Sequence, residues 1–189
     1  MHVTNGLHAP APRGGRGPGG FGPQDMERLW ELLDLRPGEA FADLGCGPGS
    51  YALEAAHRVG PRGRVWALDQ DRSMLAGVQA EARSRHLTQL CTVRADLGET
   101  LPLRTASLDL CLLATALTTG PLLGEIRRIL RPGGRLALLV CKEQGPAGGP
   151  TEQPPIPPEE MEGLVCPHGF ERERLEEFGF NYLALYGRP

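Results

Sequence analysis

Residues 40–50 read A-F-A-D-L-G-C-G-P-G-S, and the segment after them, Tyr51–Val59, has the composition of a helix. A short apolar run closes on Asp43 and Leu44, and glycines then stand at every second position, Gly45, Gly47 and Gly49. A strand that ends in a glycine turn and opens a helix is how α/β proteins hold an adenosine-containing ligand. Glycine permits close backbone approach, and the helix that follows offers unpaired N–H groups and a positive dipole end.

Outward from this turn the pattern repeats. Upstream, Asp25 and Glu27 favour a helix start after Pro23, and Met26, Leu29, Trp30, Leu32 and Leu33 form an apolar stripe at helical spacing. Downstream, Gly60-Pro61-Arg62-Gly63 stops the second helix before a second strand, Arg64–Asp69. The spacing predicts a long helix over Asp71–His86, capped by Asp71 or Ser73, and a third strand over Leu90–Ala95. Ser107–Ala114 is apolar enough for a strand buried on both faces, Pro121–Leu130 reads as a helix, and Arg135–Cys141 as a fifth strand. Strands alternating with helices at short intervals imply a parallel, doubly wound, Rossmann-like α/β sheet with helices on both faces. The periodicity then fails. Lys142–Pro158, rich in Pro and Gly, reads as a long surface loop, followed by a short helix over Glu159–Val165. Glu171–Phe178 has helix-forming residues without a wide apolar face, and with Gly179 and the apolar Phe180–Tyr186 it fits a closing hairpin best.

The 189 residues are most simply one domain over 23–189, preceded by a Gly/Pro/Arg-rich tail over 1–22 that reads as disordered. Part of that tail folding over a ligand is the alternative. A formal charge of −3 gives no reason to expect a nucleic-acid partner, and no apolar stretch is long enough to span a bilayer. The five cysteines are scattered without metal-ligand spacing, so no metal site is expected and a reducing, cytoplasmic setting fits.

The acidic residues narrow the ligand. Asp43, two residues before the first glycine, would repel a dinucleotide pyrophosphate and would welcome a ligand carrying an ammonium and a sulfonium. Asp69, at the end of the second strand, has the spacing of a carboxylate that takes a ribose diol. Asp96 ends the third strand, within reach of an adenine amine. Any one of these alone reads as a turn or cap residue. Three at the carboxyl ends of successive strands converge on the crevice where such sheets bind ligands.

The motifs D-L-G-C-G-P-G-S, W-A-L-D-Q-D, R-A-D-L, S-L-D-L-C-L-L-A and I-L-R-P-G-G-R-L-A-L-L resemble, in order and spacing, the class I S-adenosylmethionine-dependent methyltransferases. The flavour is that of the ubiquinone/menaquinone biosynthesis methyltransferase group, and the resemblance covers Asp25–Val140. It implies a mostly parallel sheet with a reversed strand near the carboxyl terminus, formed by Phe180–Tyr186. It also implies S-adenosylmethionine as cofactor and a small-molecule acceptor. By resemblance, Asp43 lies near the cofactor's amino group, and Gly45, Cys46 and Gly47 line its methionine and ribose portions. Asp69 holds the ribose hydroxyls with Gln70 beside it, Asp96 binds the adenine amine with Leu97 against the ring, and Leu113, Ala114 and Thr115 face the methyl. Ala114–Gly120 departs from the relatives: it lacks their histidine pair and the Asn-Pro-Pro-aromatic signature of enzymes that methylate amide or base nitrogens.

No residue earns a catalytic assignment from the sequence. His57 and His86 fall on or at the end of helices, where a surface role is the plain reading. Cys141 reads as a small buried apolar residue, and His168, which follows a proline in the terminal region, could reach the site as a base. Two other readings stand beside methyl transfer. One is a cofactor-binding protein with a scaffold role. The other is an NAD-dependent oxidoreductase, against which Asp43, Asp96 and Ser50 all weigh.

Overall fold

A computed structural model describes residues 23–114, 119–141, 155–179 and 181–189. The tail, the segment 115–118, most of the expected loop at 142–154 and Phe180 lie outside the described residues.

The central strand β1 (Ala40–Leu44) leads through the glycine turn into α2 (Ser50–Val59), and α1 (Pro23–Leu33) precedes it. Then follow β2 (Arg64–Asp69), α3 (Arg72–Ser84), β3 (Leu90–Arg94), β4 (Leu108–Ala114), α4 (Gly120–Ile129) and β5 (Leu130–Cys141). The chain closes with α5 (Pro158–Val165), a single 3-10 turn over Cys166–His168, β6 (Glu171–Phe178) and β7 (Asn181–Gly187). The sheet order is β3-β2-β1-β4-β5-β7-β6. The first five strands run parallel, β7 is antiparallel to β5, and β6 is antiparallel to β7. The chain order reverses direction across the sheet between β1 and β4, which opens a crevice beyond their carboxyl ends.

Side chains alternating along β1 explain why this strand is central. Phe41 packs with α1, α2 and α3 on one face, whereas Ala42 and Leu44 pack with α4 and α5 on the other. Trp30 of α1 lies against Phe41 and Tyr51, with ring centroids 6.3 and 6.5 Å apart, and the Arg58 guanidinium sits 5.0 Å over its indole. The apolar stripe of α1 is therefore core, covering the strand that carries the turn.

Helix α3 begins one residue after the expected start because Asp71 is its cap, with Oδ1 accepting the Ser73 N–H at 2.7 Å. It ends before His86, whose positive φ of 56° cannot continue a helix. Strand β5 begins earlier than Arg135: Leu130 already pairs with Leu108, and the register breaks at Arg131–Gly134 before the ladder resumes at Leu110 and Arg135. The ambiguous Glu171–Phe178 is a strand of the expected closing hairpin. At the sheet edge its alternating charges are tolerated on both faces, and they blunt that edge against further pairing.

Candidate functional site

The glycine turn is held chiefly by its own backbone and by β2. The Gly45 and Cys46 N–H groups both donate to the Leu68 carbonyl, at 2.9 and 2.8 Å, and Gly49 N–H donates to Cys46 O at 2.8 Å. Gly49 has a φ of 80°, and a Cβ there would come 2.4 Å from Val78 Cγ2. That glycine lets α2 and α3 approach each other. At Gly47, with a φ of 50°, a Cβ would meet nothing within 4 Å, so the backbone there faces open space. Cys46 is buried, its thiol is 3.7 Å from Gly47 O, and burial together with the Asp43 and Asp69 charges pushes its pKa up to about 12. It stays protonated and serves as a small apolar wedge under the turn.

Asp43 is the anomaly of the core. It is 1% exposed in the central strand, yet among the described residues its one hydrogen bond is Oδ2 accepting the Ala52 N–H at 3.0 Å. The partner has a structural logic. Helix α2 is capped by Gly49, which has no side chain to accept an N-terminal N–H, and Asp43 supplies that acceptor from the strand nine residues earlier. One hydrogen bond does not offset burial of a charge. Burial first, and then the neighbouring Asp69 charge, push the Asp43 carboxyl up to about 7 against the pull of the Ala52 hydrogen bond. Among the described residues no cation is paired with it. A carboxyl buried in this way is stabilised by holding its proton or by a positive group brought next to it.

Asp69 lies at the end of β2, half-buried, with both oxygens engaged. Oδ2 accepts Gly47 N–H at 2.8 Å, which ties the turn to β2, and Oδ1 accepts Asp71 N–H at 2.9 Å. A carboxylate has roughly four acceptor positions, so two hydroxyls can still be taken. Asp96 is exposed just beyond β3 and folds onto its own loop, its Oδ1 accepting Gly98 N–H at 2.8 Å. The Ala95 N–H donates to Asp69 O at 3.0 Å, which fixes this loop beside β2. Leu97 is half-buried and Gln70 is exposed. Leu113 is buried and Ala114 half-buried at the end of β4, where Leu113 is in register with Leu44.

The carboxyl edge of β1–β4 thus gathers Asp43, the turn, Asp69, the Asp96 loop, Leu113 and Ala114. Thr115 lies outside the described residues. Arg94 was not singled out in the sequence: it pairs with Asp69 in the β2–β3 register, and its Nε donates to Gln70 O at 3.2 Å. Its signal was its place at the end of a strand one removed from β1. His57, in the last turn of α2, and His86, beyond the end of α3, sit at the opposite edge of the sheet. Cys141 ends β5 half-buried. No group of three or more possible metal ligands occurs among the described residues, and no described helix is long and apolar enough to cross a membrane.

A family described as a methyltransferase domain matches residues 41–134. The chain is 36% identical over 115 residues to nocamycin O-methyltransferase of Saccharothrix syringae, covering 59% of this chain and 41% of that protein. It is 32% identical over 124 residues to the ubiquinone/menaquinone biosynthesis C-methyltransferase UbiE of Cupriavidus necator, covering 60% of this chain and 50% of that one. The chain therefore spans half or less of the length of these curated relatives. Among solved structures, a SAM-dependent methyltransferase from Aquifex aeolicus has the same fold. Its TM-score is 0.78 at 21% identity, over 87% of this chain and 90% of that chain.

Proposed function

This chain belongs to the class I S-adenosylmethionine-dependent methyltransferases, related to the UbiE group, and from that premise we propose that it transfers a methyl group from S-adenosylmethionine to a small-molecule acceptor. The observation that carries the reading is Asp43: a carboxylate 1% exposed, beneath a glycine turn, with no cation of its own among the described residues. An ammonium placed over it satisfies the charge, whereas a pyrophosphate adds a second negative group to the Asp43–Asp69 pair.

In this reading Asp43 holds the amino group, directly or through water, while its bond to Ala52 keeps the start of α2 in place. The Gly45, Cys46 and Gly47 backbone offers a surface without side chains for the methionine and ribose portions. Asp69 accepts from the ribose hydroxyls with its remaining lone pairs, and Gln70 flanks them. Asp96 turns its carboxylate to the adenine amine, with Leu97 against the ring. Leu113 and Ala114 form the floor near the transferred methyl. When bound, the cofactor supplies a methyl carbon already activated by a sulfonium. The chain's own work is therefore alignment and exclusion of water, and alignment is worth up to roughly 7–11 kcal/mol of barrier. Residues 23–189 act as one unit in this scheme, and the scattered cysteines suit a cytoplasmic setting.

Calorimetric titration with S-adenosylhomocysteine and, separately, with NADH tests the reading. Saturable binding of the first and none of the second is expected. Binding of NADH alone would replace methyl transfer with the oxidoreductase reading.

A further inference from the structure

The sequence offers no base after β4, yet the fold brings one to that place from another element. The 3-10 turn Cys166–His168 packs on α4 and is fastened there by Arg127, whose Nη1 donates to Gly169 O at 3.0 Å. His168 is half-buried and reaches toward the start of the same helix. A Cβ built on Gly120, the first residue of α4, would stand 3.4 Å from His168 Nε2. Because Gly120 has no side chain, the imidazole tip lies directly against the helix start.

That location has meaning in a doubly wound sheet. A helix that follows a parallel strand begins at the carboxyl edge, so the start of α4 borders the crevice on its β4 side. If Asp69 and Asp96 hold the adenosine end on the β2–β3 side, the sulfonium end points toward β4 and α4. Of the three histidines among the described residues, His57 and His86 sit at the amino edge; the turn that carries His168 enters β6 at that edge too, but the His168 imidazole lies against the start of α4.

We propose that His168 faces the methyl-transfer site from the α4–α5 side and is the general base for an acceptor whose nucleophilic atom carries an exchangeable proton. The inference rests on the methyltransferase reading above. The acceptor's bond to hydrogen breaks and the proton passes to Nε2, leaving an imidazolium. The acceptor's electron pair forms the new bond to the methyl carbon, and the pair of the broken carbon–sulfur bond leaves with sulfur. This fits a hydroxyl, an enol or an acidic carbon, and it supplies from the carboxyl-terminal region what the segment after β4 lacks.

The test needs no knowledge of the acceptor. S-adenosylmethionine and S-adenosylhomocysteine differ by one positive charge at sulfur. Histidine imidazole signals of the full chain are titrated by NMR in each complex, with His168→Gln used to identify its signal. The charged side chains on the elements around the turn cancel in this comparison: Glu125, Arg127 and Arg128 of α4, Glu159, Glu160 and Glu162 of α5, and Glu171 and Arg172 of β6. The expected result is a His168 titration midpoint about half a pH unit or more lower with S-adenosylmethionine than with S-adenosylhomocysteine. His57 and His86 should show no difference, and His168→Gln should bind S-adenosylhomocysteine within about twofold of the parent. Binding of both ligands with equal His168 midpoints would overturn the placement, and a large loss of S-adenosylhomocysteine affinity in His168→Gln would make it a cofactor-binding residue. Failure of either ligand to bind at all would instead remove the cofactor reading, and this inference with it.

Discussion

Replacing Asp43 with asparagine should separate what this residue costs the fold from what it gives the ligand. Burial raises the Asp43 carboxyl from its ordinary value of 3.8 to about 7 in the folded, ligand-free protein. A carboxyl with a raised folded-state value stabilises the fold in its protonated form, so its contribution is fully present below the unfolded value and is lost as pH climbs through the folded one. Between pH 5 and pH 8 the ligand-free protein should therefore lose about 2–3 kcal/mol through this group alone. Asparagine does not titrate, and its Oδ1 can still accept the Ala52 N–H that caps α2. Fitting its NH2 group into the core carries a cost that is the same at both pH values and drops out of the comparison. The stability of Asp43→Asn relative to the parent should thus rise by about 2–3 kcal/mol from pH 5 to pH 8, or roughly 5–10 °C in Tm for a domain of this size. Urea and thermal unfolding without ligand, at both pH values, measure it. Saturating S-adenosylhomocysteine at pH 8 should then protect the parent more than the variant. A stability difference that does not change with pH would refute the claim that Asp43 is buried without a counter-charge.

The same linkage acts on binding. If the ligand's ammonium selects ionised Asp43, affinity for S-adenosylhomocysteine should improve about tenfold from pH 6 to pH 8, with proton release visible as a buffer-dependent heat. A flat profile would place the amino group elsewhere. Asp69→Ala should weaken S-adenosylhomocysteine by about 1–3 kcal/mol, measured by calorimetry beside a Tm that reports the lost Gly47 tether. An unchanged affinity in a folded variant would move the ribose off Asp69. Gly49→Ala should destabilise by about 2–4 kcal/mol, because a Cβ at positive φ also meets Val78, and chemical denaturation would expose a milder effect if α2 and α3 can part. Tyr186→Phe removes a buried hydroxyl without a partner among the described residues and should raise stability by about 1 kcal/mol. A loss of stability would reveal a hidden partner for that hydroxyl.

The parts of this protein that were legible in its sequence are those whose residues act on near neighbours. The turn, the five parallel strands and the helices α1 to α4 follow from local periodicity and glycine spacing, and the structure returns them with shifts of a few residues at most helix and strand ends. Leu130 is the instructive exception. Its pairing with Leu108 depends on a ladder partner more than 20 residues away, and the Pro-Gly-Gly that follows it reads locally as a plain turn. Glu171–Phe178 was ambiguous for a similar reason, since its strand state is imposed by β7 and not by its own helix-forming residues. The site shows the same division. Asp43, Asp69 and Asp96 could be singled out because each ends or closely follows a strand. Arg94 also ends a strand, but only the β2–β3 register sets it beside Asp69.

His168 could be named from the sequence as able to reach the site, but its meeting with Gly120, 48 residues earlier, is set only by the packing of α5 and the 3-10 turn on α4. The acceptor side of the crevice is then assembled from chain segments that do not adjoin, whereas the cofactor side is built by one strand-turn-helix and its two neighbouring strands. That asymmetry has a physical consequence. The glycine turn proposed for the cofactor is fixed by backbone hydrogen bonds to Leu68 and borders the buried Asp43, so changes there cost folding stability. If His168 faces the acceptor as proposed, that side hangs on a 3-10 turn fastened by the Arg127 contact to Gly169 and by packing against α4. Substitutions around it can therefore change which nucleophile is presented without disturbing the sheet. A fold divided in this way can keep one donor while its acceptor varies.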